Sequence, residues 1–132
     1  MTGFAINRAG AVLAVRSVDR SVSFYTEVLG FVVEREFGDP PYVILAMRGT
    51  RLSLAEQGHP ADDRPGVAMR VPADPSKQSA VVVLEVDDAL AVYAELKRKE
   101  VRFLTEPRTP AWGGYRFFCL DPDDYLVEIE QF

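Results

Sequence analysis

The order of apolar runs in the first half of this chain returns in the second, and that repetition limits the folds open to it. Ala11-Val12-Leu13-Ala14-Val15 reads as a short buried strand, and Ser17 or Asp19 can cap a helix over Arg20–Leu29. Val22, Tyr25, Val28 and Leu29 share one face of that helix. Gly30 stands where a helix C-cap needs positive φ, and Phe31-Val32-Val33 opens the next strand. Strands over Tyr42–Met47 and Arg51–Ala55 follow, joined by the hairpin turn Arg48-Gly49-Thr50. The second half repeats this order. Ala80–Val86 is a strand, Asp87 or Asp88 caps a helix over Ala89–Lys99, and strands follow over Val101–Leu104, Tyr115–Leu120 and Tyr125–Gln131. Between the last two lies the turn Asp121-Pro122-Asp123-Asp124.

Val15 aligns with Val86 and Tyr42 with Tyr115, so a duplication of a βαβββ unit is the best account of the chain. Glu100 and Asp124 both stand where a glycine is usual, and Asp is the better suited to left-handed backbone. Pro60, Pro65, Pro72 and Pro75 mark a linker, with one short strand expected over Val67–Val71. We expect an α+β fold in which two βαβββ modules form a curved mixed sheet around a pocket. The single domain covers residues 1–132, with module one at about 10–57, the linker at about 58–78 and module two at about 79–131.

Composition narrows the partners. The formal net charge of −5 argues against nucleic acid and against an anionic membrane surface, and it suits a cationic small molecule. No apolar run approaches the roughly 20 residues of a membrane span. Met1–Arg8 lacks the layout of a secretory signal, and a single cysteine, Cys119, excludes an internal disulfide. A cytoplasmic location is expected.

The stretch from Val15 to Phe31, with its Ser21-x-x-Phe24-Tyr25-x-x-x-Leu29-Gly30-Phe31 string, resembles the vicinal oxygen chelate superfamily. So does Trp112-Gly113-Gly114 followed by the Asp121-Pro122-Asp123 turn and a strand carrying Glu128. That superfamily holds glyoxalase I, bleomycin-resistance proteins and extradiol dioxygenases. The resemblance runs from about Ala11 to Gln131 and implies the two-module fold and, on family grounds, a homodimer. In metal-dependent members four His, Gln or Glu ligands come from facing strands. Carried over, those positions fall on Gly10, Ser53, Val81 and Glu128 here, and only Glu128 keeps the family's residue type. A divalent transition metal needs three or four donors, so no metal or other cofactor is expected. His59 is the only histidine and reads as an exposed, structurally idle loop residue, and Cys119 reads as a buried inert thiol.

Strand parity places the candidate pocket lining. Glu128, Leu126 and Glu130 face one way and Val127 and Ile129 the other, and Arg51, Ser53 and Ala55 face away from Leu52 and Leu54. Arg116, Phe118 and Leu120 are expected inward. The candidate ligand-binding residues are Glu128, Arg116, Trp112, Phe118, Arg51, Ser53 and Tyr42. Glu128 is either a proton acceptor of raised pKa or the ion-pair partner of Arg51 or Arg116. Trp112 either stacks on a flat or cationic ligand or packs at a dimer contact. The leading expectation is a metal-free protein that sequesters a cationic or aromatic drug, like the bleomycin-resistance branch. The alternative is a glyoxalase- or dioxygenase-type lyase or oxygenase, with Glu128 as its catalytic residue.

Overall fold

Ser17 ends the first strand and starts the first helix. Its backbone is extended (φ −137°, ψ 112°), and its Oγ accepts the Arg20 N–H at 3.2 Å. The computed structural model describes residues 1–132 and divides them into two units, Met1–Val71 and Pro72–Phe132. No helix in either is long and apolar enough to cross a membrane.

In the first unit, β1 (Gly10–Val15) leads through Ser17 into α1 (Val18–Ser23). The helix then widens into a π-helical turn over Phe24–Val28, a departure from the uniform helix expected over Arg20–Leu29. Within this segment the Thr26 hydroxyl donates to the Val22 carbonyl at 2.7 Å. The turn closes with Leu29 N–H on the Phe24 carbonyl and Phe31 N–H on the Tyr25 carbonyl, and Gly30 takes φ +85°. Tyr25 is thereby fully buried, edge-on to Phe24 at 5.2 Å and to Phe31 at 5.9 Å.

Three strands follow, β2 (Val32–Gly38), β3 (Pro41–Met47) and β4 (Thr50–Glu56), giving a sheet in the order β1-β4-β3-β2. β1 runs parallel to β4 and the other pairs are antiparallel. Leu13, Val15, Val43, Leu45, Leu52 and Leu54 form the buried core of this unit with Val18 and Tyr25 of the helical segment. The strand expected over Val67–Val71 is absent: those residues have no ladder. Single bonds from Gly58 N–H to the Met69 carbonyl and from Val71 N–H to Gln57 Oε1 hold the segment instead. His59 is half-buried and not idle, because its Nε2 meets Glu56 Oε1 at 2.7 Å and its carbonyl accepts from Arg64.

The second unit repeats the plan with β5 (Val82–Glu85), α2 (Ala89–Arg98), β6 (Arg102–Phe103), β7 (Tyr115–Leu120) and β8 (Leu126–Gln131). Its sheet order, β5-β8-β7-β6, is that of the first. Asp88 caps α2 by accepting the Ala91 N–H at 3.0 Å. β5 and β6 are shorter than the runs Ala80–Val86 and Val101–Leu104 suggested. Phe117, Cys119, Val127 and Ile129 are buried, and Tyr93, Phe103 and Phe117 stack within 4.7–5.9 Å of one another. Asp121 organises the last turn, its Oδ1 accepting from the N–H groups of Asp123 (2.8 Å) and Tyr125 (2.9 Å).

The ladders correct one detail of the repeat. Arg116 pairs with Glu130 and Phe118 with Glu128, as Tyr42 pairs with Ala55 and Ile44 with Ser53. The counterpart of Tyr42 is therefore Arg116, not Tyr115. Shared residue identity misplaced the alignment by one position, which in a strand exchanges the two faces.

Candidate functional site

Alternation along β7 and β8 sends Phe117, Cys119, Val127 and Ile129 to the helix side and Arg116, Phe118, Glu128 and Glu130 to the open face. On that face the Arg116 guanidinium has Nη1 3.7 Å from Glu128 Oε1, too long for a hydrogen bond. Its Cζ stands 5.3 Å from the Phe118 ring and 6.0 Å from the Trp112 ring. The Trp112 ring lies 4.8 Å from that of Phe132, so the segment after Pro110 is held by an aromatic pair at the end of β8. The Glu128 side chain is only 14% exposed. Burial, then a hydrogen bond to Glu130 and repulsion from that second carboxylate, push its pKa up, and Arg116 only partly offsets them. Two carboxyl groups that close hold a proton more readily than either would alone.

The four residues expected from module two, Arg116, Phe118, Glu128 and Trp112, are thus brought together. Of the two partners considered for Glu128, Arg116 is the one within ion-pair range. Two further members stand outside the candidate ligand-binding set. Strand parity already places Glu130 on this face beside Glu128. Phe132 carries no such signal, because it stands one residue beyond the last predicted strand.

In module one, Arg51, Ser53 and Tyr42 also meet. Arg51 Nε donates to Ser53 Oγ at 3.2 Å, and Nη2 donates to the Tyr42 hydroxyl at 3.3 Å. Register explains the meeting, since Tyr42 faces Ala55, Ile44 faces Ser53 and Ala46 faces Arg51 on the same side of the sheet. Phe37 extends the row toward the sheet edge, 5.9 Å from Tyr42, with Arg35 over its ring at 5.4 Å. Ser53 is fully buried, so its hydroxyl serves chiefly to orient Arg51. On the other side of the sheet, a groove of about 720 Å³ runs between α1 and the β2–β3 edge, lined in part by Asp19, Val22, Glu36 and Pro41. Phe37 also lines it, but none of Glu128, Arg116, Trp112, Phe118, Arg51, Ser53 and Tyr42 does.

The donor set does not fit a transition metal. No three of His, Cys, Asp and Glu come together so as to hold an ion. Gly10 and Val81 have no donor side chain, the Ser53 hydroxyl is engaged by Arg51, and the strand neighbour of Glu128 is Val83. His59 pairs with Glu56 in a loop of the first unit.

Residues 6–129 match the model of the Glyoxalase/Bleomycin resistance protein/Dioxygenase superfamily. The chain belongs to that superfamily. The repeated βαβββ module described above is that superfamily's architecture in this chain. Among curated proteins, YwbC of Bacillus subtilis is 28% identical over 127 residues, covering 90% of this chain and 92% of its own. Among solved structures, an integron cassette protein from V. cholerae superposes with a TM-score of 0.73 at 22% identity, covering 100% of this chain and 99% of its own. TnmS3, an antibiotic binding protein from Streptomyces sp. CB03234, gives a TM-score of 0.73 at 20% identity, with 99% and 98% covered. A virulence protein from Salmonella typhimurium gives 0.69 at 26% identity, with 98% and 99% covered.

Proposed function

We propose that this superfamily member is a metal-free small-molecule-binding protein that sequesters a cationic or aromatic ligand without turning it over. The observation that carries the reading is the open face of module two, where Trp112, Phe118 and Phe132 stand beside the Glu128–Glu130 carboxyl pair. Flat π-faces next to negative charge suit a ring system bearing an amine. Sequestration needs affinity alone, so a donor set unfit for a metal costs it nothing. TnmS3 supports the reading to the extent that this fold is one on which an antibiotic binding protein is built. We propose further that the chain works as a homodimer in the cytoplasm, where its one thiol stays reduced.

A second reading is catalytic, and it rests on the raised proton affinity of Glu128. A carboxyl of raised proton affinity beside a second carboxyl is suited to move a proton in a glyoxalase- or dioxygenase-type reaction.

One experiment tests both. The untagged protein is incubated with Zn, Ni, Mn and Fe(II), desalted and assayed for metal by plasma mass spectrometry, then screened by thermal shift against cationic and aromatic antibiotics. The binding reading expects no retained metal, a rise in Tm with a subset of the antibiotics that is lost in Trp112→Ala, and recovery of the ligand unchanged by mass spectrometry. About one ion per chain, lost in Glu128→Ala, or conversion of a ligand would overturn it in favour of catalysis. Light scattering of the same sample reads the oligomeric state.

A further inference from the structure

The guanidinium of Arg51 is oriented by two neutral hydroxyls and by no carboxylate. Ser53 Oγ takes its Nε and the Tyr42 hydroxyl takes Nη2, while Nη1 is left without a protein partner. A half-buried charge fixed in this way is set up to receive an anion, because its orientation is already established and its charge is not neutralised. Its place depends on Gly10. Gly10 is the register partner of Arg51, and a Cβ there would come within 2.6 Å of the Arg51 carbonyl oxygen and 2.9 Å of its Cβ. Beside this close approach lies a cavity of about 120 Å³, lined by Arg8, Gly10, Ala11, Val12 and Arg51. That is room for one small polar group and little more.

Arg8 completes the cavity from the segment before β1. Glu34, on β2, holds it in a two-point bridge with Nη1 at 2.8 Å and Nη2 at 3.0 Å. Glu34 lies within the field of Arg8, Arg51 and Arg35, which together hold its pKa below the usual carboxylate range, its hydrogen bonds to Arg8 counting most. Three guanidinium groups surround a single carboxylate, so the patch keeps a net positive charge on a chain that is acidic as a whole.

We propose that the open face of module one binds an oxyanion, the carboxylate or phosphate group of a ligand, between Arg51 and Arg8 beside Gly10. The proposal deepens the small-molecule-binding reading and rests on it. It gives module one a charge preference opposite to that of module two. Glu34 occupies the terminal nitrogens of Arg8 that an incoming oxyanion would use, so it acts as an internal competitor.

The test is a titration of ¹⁵N-labelled protein at low ionic strength, following backbone amide and arginine Nε resonances. The probes are inorganic phosphate, benzoate and, as a control of opposite charge, benzylammonium. Saturable shifts at Gly10–Val12 and at Arg51 Nε are expected with phosphate or benzoate. Saturation by phosphate alone identifies a phosphate group as the ligand's anion, and saturation by benzoate alone a carboxylate. Arg51→Gln should weaken the response by about tenfold or more, and Arg51→Lys should fail to restore it, because an ammonium does not present the planar fork. Glu34→Gln should tighten binding, a direction that no purely structural role for the Arg8–Glu34 bridge predicts. Arg8 and Glu34 are exposed, so their variants report even if Arg51→Gln unfolds. No saturable shift with either anion, or equal binding in wild type and Arg8→Gln, overturns the proposal. Antibiotic binding lost in Trp112→Ala would then still stand, whereas failure of that screen with anion binding intact would count against the cation-binding reading alone.

Discussion

The two modules share a scaffold and differ on the face it presents. Both sheets run in the same strand order, and both bury an aromatic core on the helix side, Tyr25 with Phe24 and Phe31 in one, Phe117 with Tyr93 and Phe103 in the other. On the open side the equivalent ladder positions diverge. Where module one has Tyr42, Ile44, Ser53 and Ala55, module two has Arg116, Phe118, Glu128 and Glu130. The first face gathers guanidinium groups around one carboxylate, and the second sets two carboxyls and a row of aromatic rings around one guanidinium. The helix side has to fill space at high density, and that demand is the same in both halves. The other side is less uniform: Ile44 and Ser53 are buried there in module one, whereas their counterparts Phe118 and Glu128 are partly exposed in module two, and the chemistry of the two faces differs with it.

The largest effects should therefore fall on the shared side and be alike. Tyr25→Ala and Phe117→Ala each remove a fully buried ring, and each should cost about 3–5 kcal/mol in urea unfolding monitored by circular dichroism. A cost confined to one of them would break the symmetry claimed for the two cores. Next comes a feature that only module two has. Asp121 is fully buried and its Oδ1 satisfies two backbone N–H groups, so Asp121→Ala should cost about 2–4 kcal/mol by the same measurement. The matching turn of module one, Arg48–Thr50, has no such carboxylate, and substitution there should be far milder.

The open faces respond to pH rather than to packing. Glu128 has its pKa raised in the folded protein, so the folded state binds its proton more tightly than the unfolded state does. That contribution to stability is fully present below the ordinary carboxylate value and is lost as pH rises through the raised one. Glu128→Gln should remove this loss. Its Tm should match wild type in acid and exceed it modestly at neutral pH, as read by differential scanning calorimetry across the range. An unchanged difference at every pH would mean that Arg116 neutralises Glu128 fully, and the contrast between the faces would narrow. Cys119, on the buried side, has its thiol pushed up to about 12, chiefly by burial. A thiol reagent at pH 8 should leave it unlabelled until the protein is unfolded.

Period-two patterning made most of this architecture legible in the sequence. Leu52 and Leu54, and Val127 and Ile129, could be assigned inward from alternation alone, and with them the side on which Arg51, Arg116 and Glu128 stand. Alternation within a strand says nothing about register between strands, however, and the shared tyrosine at 42 and 115 invited a pairing that the ladders do not make. The π-turn leaves no mark in the sequence, because a periodic apolar face looks the same in an α-helical and a π-helical turn. Arg8 and Glu34 were invisible for a different reason. They lie 26 residues apart, one of them outside any strand, and their bridge depends on tertiary structure that leaves no local signature.

The smallest effects concern three residues that take left-handed backbone without being glycine: Arg48 (φ 51°) in module one, and Glu100 (φ 58°) and Asp124 (φ 65°) in module two. Such a conformation costs an ordinary side chain about 1–2 kcal/mol, and glycine returns part of that as extra freedom in the unfolded chain. Arg48→Gly and Glu100→Gly should each stabilise by about 0.5 kcal/mol, the net of these two opposing effects. Asp124→Gly should not. Aspartate tolerates the conformation better, and its Oδ1 receives Arg102 Nη1 at 2.6 Å, an exposed pair worth up to about 1 kcal/mol that glycine would forfeit. Thermal unfolding of the three variants side by side should therefore raise Tm at the first two positions and leave it level or lower at the third. If all three rose together, the Arg102–Asp124 bridge would carry no weight, and the last turn of module two would depend on Asp121 alone.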